Sequence, residues 1–334
     1  MLLSQLDLGR RYGLAPSKAR AAGRGLSSCN ATFTSGGRRY VLREYRGSSA
    51  ADVRRAETVA ELLHQRGLPV VPALATSDGE RHFIHAGRFF AVHPYVEGEV
   101  LHEGDLDAPA LESAARVLSE LHDLGIRTLP GPSLPRSSPP APRESAARQR
   151  ELLQEASGSG LDAPLRGAVV ALLELKLELA GRLELGAGDP LPAEILIHGD
   201  FHNENLLFDA ERGIAAVLDL EAARIGHPLE DVLTFVHLAC LNSGFGPERV
   251  AQAKRFLDAY RARRPLAEEA LRRGFADYVA GLRSEVFFET RALETGDPSL
   301  LPFLERDRRR LRDLARNPAE LIDRLVRSPT ERRG

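Results

Sequence analysis

Apolar and polar positions in the first hundred residues follow the short alternation of strands. NATFTS (30–35) and RRYVLREY (38–45) flank Gly36-Gly37 and predict a hairpin. VPALATS (71–77), RHFIHA (81–86) and FFAVHPYV (89–96), separated by Asp78-Gly79 and Ala86-Gly87, predict further strands. Between them, ADVRRAETVAELLHQRG sets Val53, Ala56, Val59, Ala60, Leu62 and Leu63 at helical spacing and stops at Gly67. One long helix should therefore pack against a small antiparallel sheet.

From Asp107 the period lengthens, because Leu111, Ala115, Leu118 and Leu121 recur at helical steps. The stretch Leu129 to Glu144 has too many prolines for a helix or a ladder and reads as an exposed connection within the second part of the chain, or as an ordered lid. Helical patterns run from about 147 to 185. AEILIH, NLLF and IAAVLDL are then brief enough to be short strands carrying loops. After Pro228 the pattern is helical again, including LAEEALRRGFADYVAGLRSEVFFETRAL (266–293). The chain thus divides into a β-rich part, 1–98, and a larger, mainly helical part, 99–334, an α+β organisation.

Composition narrows the functions. Of 334 residues, 43% are hydrophobic and 28% charged, and a net charge of −2 gives nucleic acid no attraction. The Arg-rich ERDRRRLRDLARN alternates charge around apolar positions and reads as the exposed face of a terminal helix. Cys29 and Cys240 lie far apart in no CxxC pair, which predicts neither disulfide framework nor zinc site and fits a reducing compartment. No window approaches the ~18 apolar residues of a membrane span, and the N-terminus lacks a signal-like stretch. A soluble, cytoplasmic protein, monomeric or homodimeric, is expected.

The chemistry concentrates in LIHGDFHNENLLFD (196–209) and GIAAVLDLEAARIGHPLEDV (213–232). A lone aspartate after an apolar run is ordinarily a turn or cap residue. Here, however, H-G-D-x-x-x-x-N places Asn205 five residues after Asp200, the interval of a protein-kinase catalytic loop, and Asp219 follows the next apolar run. Phosphoryl transfer needs a carboxylate for the attacking hydroxyl and oxygen ligands for Mg²⁺. Asp200, Asn205 and Asp219 can supply them. His198 and His202, at i and i+4, lack a third metal ligand and sit in a loop, so they should support it by hydrogen bonds.

These motifs resemble the aminoglycoside phosphotransferase, choline kinase and homoserine kinase group of small-molecule kinases. His198, Gly199, Asp200, His202 and Asn205 match its catalytic loop, and Asp219, Ala223, Arg224, Gly226, Pro228 and Asp231 match its later motif. The resemblance implies a protein-kinase-like two-lobe fold, with nucleotide bound by lobe 1–98 and catalysis and acceptor binding in 99–334. It implies ATP and Mg²⁺ as cofactors, Asp200 as base, Asn205 and Asp219 as metal ligands, and Asp231 as a structural acid. The phosphate-contacting cation falls on Arg43 in YVLREYR, where the family more often has lysine, with Glu57 as its ion-pair partner and Glu61 as the alternative. Gly23-Arg24-Gly25 before Ser27-Ser28 offers a turn over the phosphates, and backbone around His93 to Tyr95 a hinge for adenine. Arg43 with Glu57 as a surface pair, and Tyr95 as core, are the plainer alternatives.

The acceptor, a small hydroxylated molecule, is not set by the motifs. Glu221, and Glu285 with Glu289 at i and i+4, are acids available to an ammonium-bearing acceptor, the alternative being a solvated helix face. A nucleotide-binding pseudokinase is the competing function, against which stand the intact Asp200, Asn205 and Asp219. A protein kinase lacks support because D-F-G and A-P-E are missing.

Overall fold

The computed structural model describes residues 6–24, 28–46, 48–129, 133–137, 142–182, 191–316 and 318–326. The chain forms two compact units, one from 1–136 with 194–235, the other from 137–193 with 236–334.

The first unit opens with a short helix α1 (Leu8–Tyr12) and strands β1 (Ser17–Arg24), β2 (Ser28–Ser35) and β3 (Arg38–Tyr45). Gly36 and Gly37 turn the expected hairpin, both at positive φ, the conformation a tight primed turn requires. Helix α2 (Ala50–Gln65) begins at a capping box in which Ser49 and Asp52 satisfy each other's backbone N–H, and ends before Gly67 at φ +83°. Strands β4 (Phe83–His85) and β5 (Arg88–Pro94) complete an antiparallel sheet of order β1-β2-β3-β5-β4. Leu8, Phe33, Leu42, Phe83, Phe90 and Val92 form one of its cores, and Val53 of α2 packs with Tyr45, Ala73 and Ala91 in another.

Two strands depart from expectation. VPALATS makes no strand: Ala73 N–H donates to the Glu57 carboxylate, Leu74 N–H to Val92 O and Thr76 N–H to Glu80 O, while Pro72 has no N–H to give. Its backbone is satisfied as a loop. Conversely β1 escaped the pattern because it is a sheet edge whose residues 17–22 are exposed on both faces, so no alternation marks it.

Helix α3 (Ala108–Asp123), capped by Asp107, buries Leu111, Ala115, Leu118 and Leu121 as expected. Residues 133–137 of the proline-rich stretch are tied down, Ile225 N–H donating to Pro135 O beside a bridge from Arg136. The second unit then receives α4 (Pro142–Gly158) and α5 (Ala163–Arg182). Back in the first unit, β6 (Ile195–Ile197), β7 (Leu206–Phe208), β8 (Ile214–Val217) and β9 (Arg224–Gly226) form two small sheets, β6-β9 and β7-β8, followed by α6 (Pro228–Phe235). Val217 N–H donates to Pro69 O, and Glu99 pairs with Phe208, so the short strands are stitched to the segments flanking the larger sheet.

The remainder of the second unit is helical: a π-turn at Val236–Cys240, α7 (Pro247–Arg263), α8 (Glu268–Ser284), α9 (Phe287–Thr295), α10 (Leu301–Arg316) and α11 (Pro318–Val326). Leu152, Leu165, Val169, Leu172, Ala292 and Leu304 share its core. α10 buries Leu311 and Leu314, but Arg310, expected on the exposed face, is buried with them and donates to Asn242 Oδ1, so that face is not wholly solvated. Replacing Ser49 by alanine removes the α2 cap and should cost about 1 kcal/mol, read as a lowered denaturant midpoint.

Candidate active site

The buried strand β6 ends at Ile197, and the residues that follow are held by one carboxylate. His198 N–H donates to Asp231 Oδ2 and Gly199 N–H to Asp231 Oδ1, each at 2.7 Å. Asp231, in the first turn of α6, is fully buried, and His122 Nε2 of α3 lies 3.2 Å from Oδ2. Burial alone would raise this carboxyl, but the hydrogen bond and charge of His122, with help from His198, hold it below the usual range. It is an ionised anchor inside the core.

Gly199 has φ +83°, and a Cβ there would stand 2.2 Å from Ala222 O and 2.3 Å from Arg224 Nη1. Only glycine fits so close an approach. Arg224 Nη1 donates to Gly199 O at 3.3 Å and Ala222 O at 3.1 Å, and its Nη2 donates to Glu230 Oε2 at 2.8 Å. That arginine joins the loop carrying Asp200 to the loop carrying Asp219.

His198 does the same through its ring. Asp200 N–H donates to Nδ1 at 3.2 Å while Nε2 donates to Leu218 O at 2.9 Å, a pattern of the neutral imidazole protonated on Nε2. Asn205 Nδ2 donates to Asp200 O at 2.9 Å and Asp200 Oδ2 at 3.1 Å, with His202 Nε2 at 3.2 Å. Among the described residues, Asp200 Oδ1 and Asn205 Oδ1 have no such partner. The Asp200 side chain is 45% exposed, so a substrate can reach it. Burial pushes its carboxyl up, but His202 and Asn205 more than offset this and keep it ionised.

Asp219 follows β8 in a left-handed conformation, φ 59° and ψ 70°, after Leu218 N–H has donated to Asn205 O at 2.8 Å. Its Oδ1 accepts from Arg43 Nη2 at 2.8 Å. Asp200, Asn205, Asp219 and Arg43 thus lie in one connected network, with His198, His202 and Asp231 supporting it.

The partner of Arg43 is a correction. Arg43 pairs with Asp219 and Glu221, not with Glu57. Glu57 instead accepts from Tyr45 Oη at 2.5 Å and from Ala73 N–H at 3.1 Å, and Glu61 pairs with Arg81. Arg43 and Tyr45 share a face of β3, and the Arg43 guanidinium sits 4.9 Å from the Tyr45 ring centroid, so the tyrosine stands between cation and helix. Burial lowers the Arg43 guanidinium, but Asp219, Tyr45 and Glu221 reverse the effect and raise it.

Glu221 is also reassigned. Its carboxylate is occupied by Arg43 and by Ser48 Oγ at 2.6 Å, which leaves no open acid for an ammonium group. Burial raises its carboxyl despite Arg43. Glu285 and Glu289 do not share a helix face: α8 stops at Ser284, Glu285 is extended at φ −66°, ψ 139°, and Glu289 lies in the first turn of α9, which begins at Phe287. Glu289 is buried against Lys176 Nζ of α5, which also donates to Glu285 O. The repulsion expected between the two acids is absent because a lysine supplies the countercharge.

His93 Nδ1 lies 3.1 Å from Val71 O, and its Nε2, 3.6 Å from Glu57, has no hydrogen-bond partner among the described residues. Tyr95 N–H donates to Arg39 O, whose guanidinium stacks 3.9 Å over the Tyr95 ring, so that N–H is committed to the sheet. Ser27 lies outside the described residues. Tyr45, Ser48, His122 and Lys176 escaped sequence reasoning, since no spacing links them to their partners.

Among the described residues no helix is long and apolar enough to cross a membrane, and no three His, Cys, Asp or Glu side chains cluster as a metal cage. A family model described as the phosphotransferase enzyme family matches residues 18–273. Over 217 residues the chain is 30% identical to acyl-CoA dehydrogenase family member 11 of Gallus gallus, covering 61% of this chain and 26% of that protein. It is 29% identical over 213 residues to homoserine kinase of Pseudomonas aeruginosa (strain LESB58), covering 61% and 59%. The chain therefore spans about a quarter of the first relative's length and about three fifths of the second's. A solved spectinomycin phosphotransferase, in complex with ADP and spectinomycin, superposes with a TM-score of 0.62 at 13% identity over 96% of both chains. A microcompartment-associated aminopropanol kinase gives 0.64 at 19% identity over 97% of this chain and 98% of that one. The likeness shows the expected α+β fold.

Asp231→Asn would place an amide NH₂ against one of two buried N–H donors and should lower stability by about 1–3 kcal/mol, measured by thermal or urea unfolding.

Proposed function

Because the chain belongs to the phosphotransferase enzyme family, we propose that it is an ATP- and Mg²⁺-dependent kinase transferring the γ-phosphoryl group to a hydroxyl of a small molecule. One observation carries the reading: Asn205 bonds Asp200, Arg43 bonds Asp219 from 176 residues away, and the Leu218 N–H, next to Asp219, donates to Asn205 O and ties the two pairs together. Side chains so distant in sequence, three of them with an uncommitted oxygen, suit a reaction that depends on positioning.

Asp200 is the residue that receives the acceptor proton. Its Oδ2 is held by Asn205, its Oδ1 remains available, and its environment keeps it ionised. Asp219 and Asn205 Oδ1 would hold Mg²⁺; this is a hard-oxygen donor set, and Mg²⁺ commonly takes one or two carboxylates and completes its shell with water and phosphate. Bound Mg²⁺ supplies charge that neutralises the transferring phosphoryl group. Arg43 is placed to contact phosphate oxygens, and Glu221 with Ser48 retains it when Asp219 is engaged elsewhere. Residues 1–98 serve the nucleotide, with backbone near His93 and beyond the committed Tyr95 N–H reading the base, and 99–334 serve catalysis and the acceptor.

Candidate acceptors are amino alcohols, aminoglycosides and related hydroxylated metabolites, consistent with the homoserine, aminopropanol and spectinomycin named for similar proteins. A coupled assay of ATP consumption over such a library tests the activity. Asp200→Asn should abolish turnover while nucleotide affinity, measured by calorimetry, stays within about threefold, because the side chain addresses the hydroxyl. Retained turnover would sink the assignment. Asp219→Ala should remove the Mg²⁺ dependence of nucleotide binding; an unaltered Mg²⁺ titration would place the metal elsewhere.

A further inference from the structure

Arg43 carries a donor that its carboxylate partners do not use. Both of its hydrogen bonds leave from Nη2, one to Asp219 Oδ1 and one to Glu221 Oε1. Among the described residues Nη1 makes none, and Nε, the nitrogen nearest the strand, is buried without a partner. A lysine would bring no N–H to that depth, so the unmet donor comes with the arginine. A buried N–H of a cation that finds no acceptor is costly.

The register of the sheet decides what lies beside it. Arg43 of β3 stands opposite Asn30 of β2 on one side and Ala91 of β5 on the other. Residues directly opposite in an antiparallel pair share a face, with their Cβ atoms about 4.5–5.5 Å apart. Ala91 has no acceptor to offer. Asn30 has one, because its Oδ1 is buried and, among the described residues, has no partner. The hydroxyl of Tyr45, also on that face, is taken by Glu57, and Asp219 and Glu221 sit at the far end of the guanidinium. An unmet acceptor therefore stands next to an unmet donor, and the main-chain ladder fixes them there.

We propose that Asn30 is a positioning residue for Arg43: its Oδ1 accepts the Nε–H when the guanidinium turns from Asp219 to the nucleotide's phosphates, a step that rests on the reading of Arg43 as the phosphate-contacting cation. In that reading Asp219 turns to Mg²⁺ and Glu221 alone retains Nη2, which leaves the fork free to swing. Holding it at Nε as well sets the plane of the guanidinium, so that Nη1 meets a phosphate oxygen in one orientation. Phosphoryl transfer depends on positioning of this kind. Asn30 is then what allows an arginine to serve at this place in the sheet.

Calorimetry of the full chain with Mg²⁺ and a non-hydrolysable ATP analogue tests this, with adenosine as the probe that carries no phosphate. Asn30→Leu, similar in size but without an acceptor, should weaken binding of the analogue about tenfold, the loss of one hydrogen bond to a charged group. Adenosine affinity should stay within about twofold, which also shows that the variant is folded. Arg43→Lys removes the Nε–H, so adding Asn30→Leu to it should change analogue affinity by less than about twofold. An equal loss in both backgrounds would make Asn30 a direct nucleotide contact or a packing residue and overturns the proposal. So does an unchanged analogue affinity in Asn30→Leu, or a matching loss for adenosine. Those results leave the kinase reading standing, since wild type still binds the analogue. No binding of the analogue by wild type, or binding as tight in Arg43→Ala as in wild type, would end the phosphate role of Arg43 and the role of Asn30 together.

Discussion

The buried Asp231 carboxylate is the constraint on which the loop carrying Asp200 depends. A carboxylate taken out of water is tolerable only when its oxygens are answered by donors, and three groups answer it: the backbone N–H groups of His198 and Gly199 and the ring of His122. Those bonds fix where the chain leaves β6. Gly199, at an angle and a proximity that admit no side chain, directs the next residue outward. Asp200 therefore inherits its position from a residue 31 places downstream, in the first turn of α6.

A second electrostatic unit stands beside the first. Arg43 meets two carboxylates, Asp219 and Glu221, and the three half-buried groups stabilise one another where each alone would be costly. Glu221, itself held by Ser48, gives the arginine a second anchor beside Asp219. This division differs from the expected arginine–helix glutamate pair, and its origin is steric. With Tyr45 beside Arg43 on β3 and hydrogen-bonded to Glu57, the α2 glutamate is used to tie helix, strand and the loop at Ala73 together.

In the helical unit, countercharge decides which ionised side chain packing can bury. Glu289 is buried and neutralised by Lys176, so it belongs to the packing of α5 against α9. Arg283, at the end of α8, makes no ion pair among the described residues. Sequence position distinguishes the two poorly, since both lie within a few residues of the α8–α9 break. What separates them is whether a neighbouring helix presents an opposite charge.

Local intervals were legible in the sequence itself. The five-residue step from Asp200 to Asn205, the apolar run before Asp219, the glycine pair of the hairpin and the capped periodicity of α2 each depend on residues close along the chain, where backbone geometry alone sets which groups meet. The edge strand β1 was not legible because exposure on both faces leaves no alternation, and 71–77 looked like a strand because its apolar residues conceal a backbone satisfied by Glu57, Val92 and Glu80. Ion-pair partners were decided only in three dimensions. Whether Arg43 meets Glu57 or Glu221, and whether Glu289 repels Glu285 or neutralises Lys176, depends on which side chains packing brings within a few ångströms, and Coulomb energy in a buried site turns on that distance and not on sequence separation.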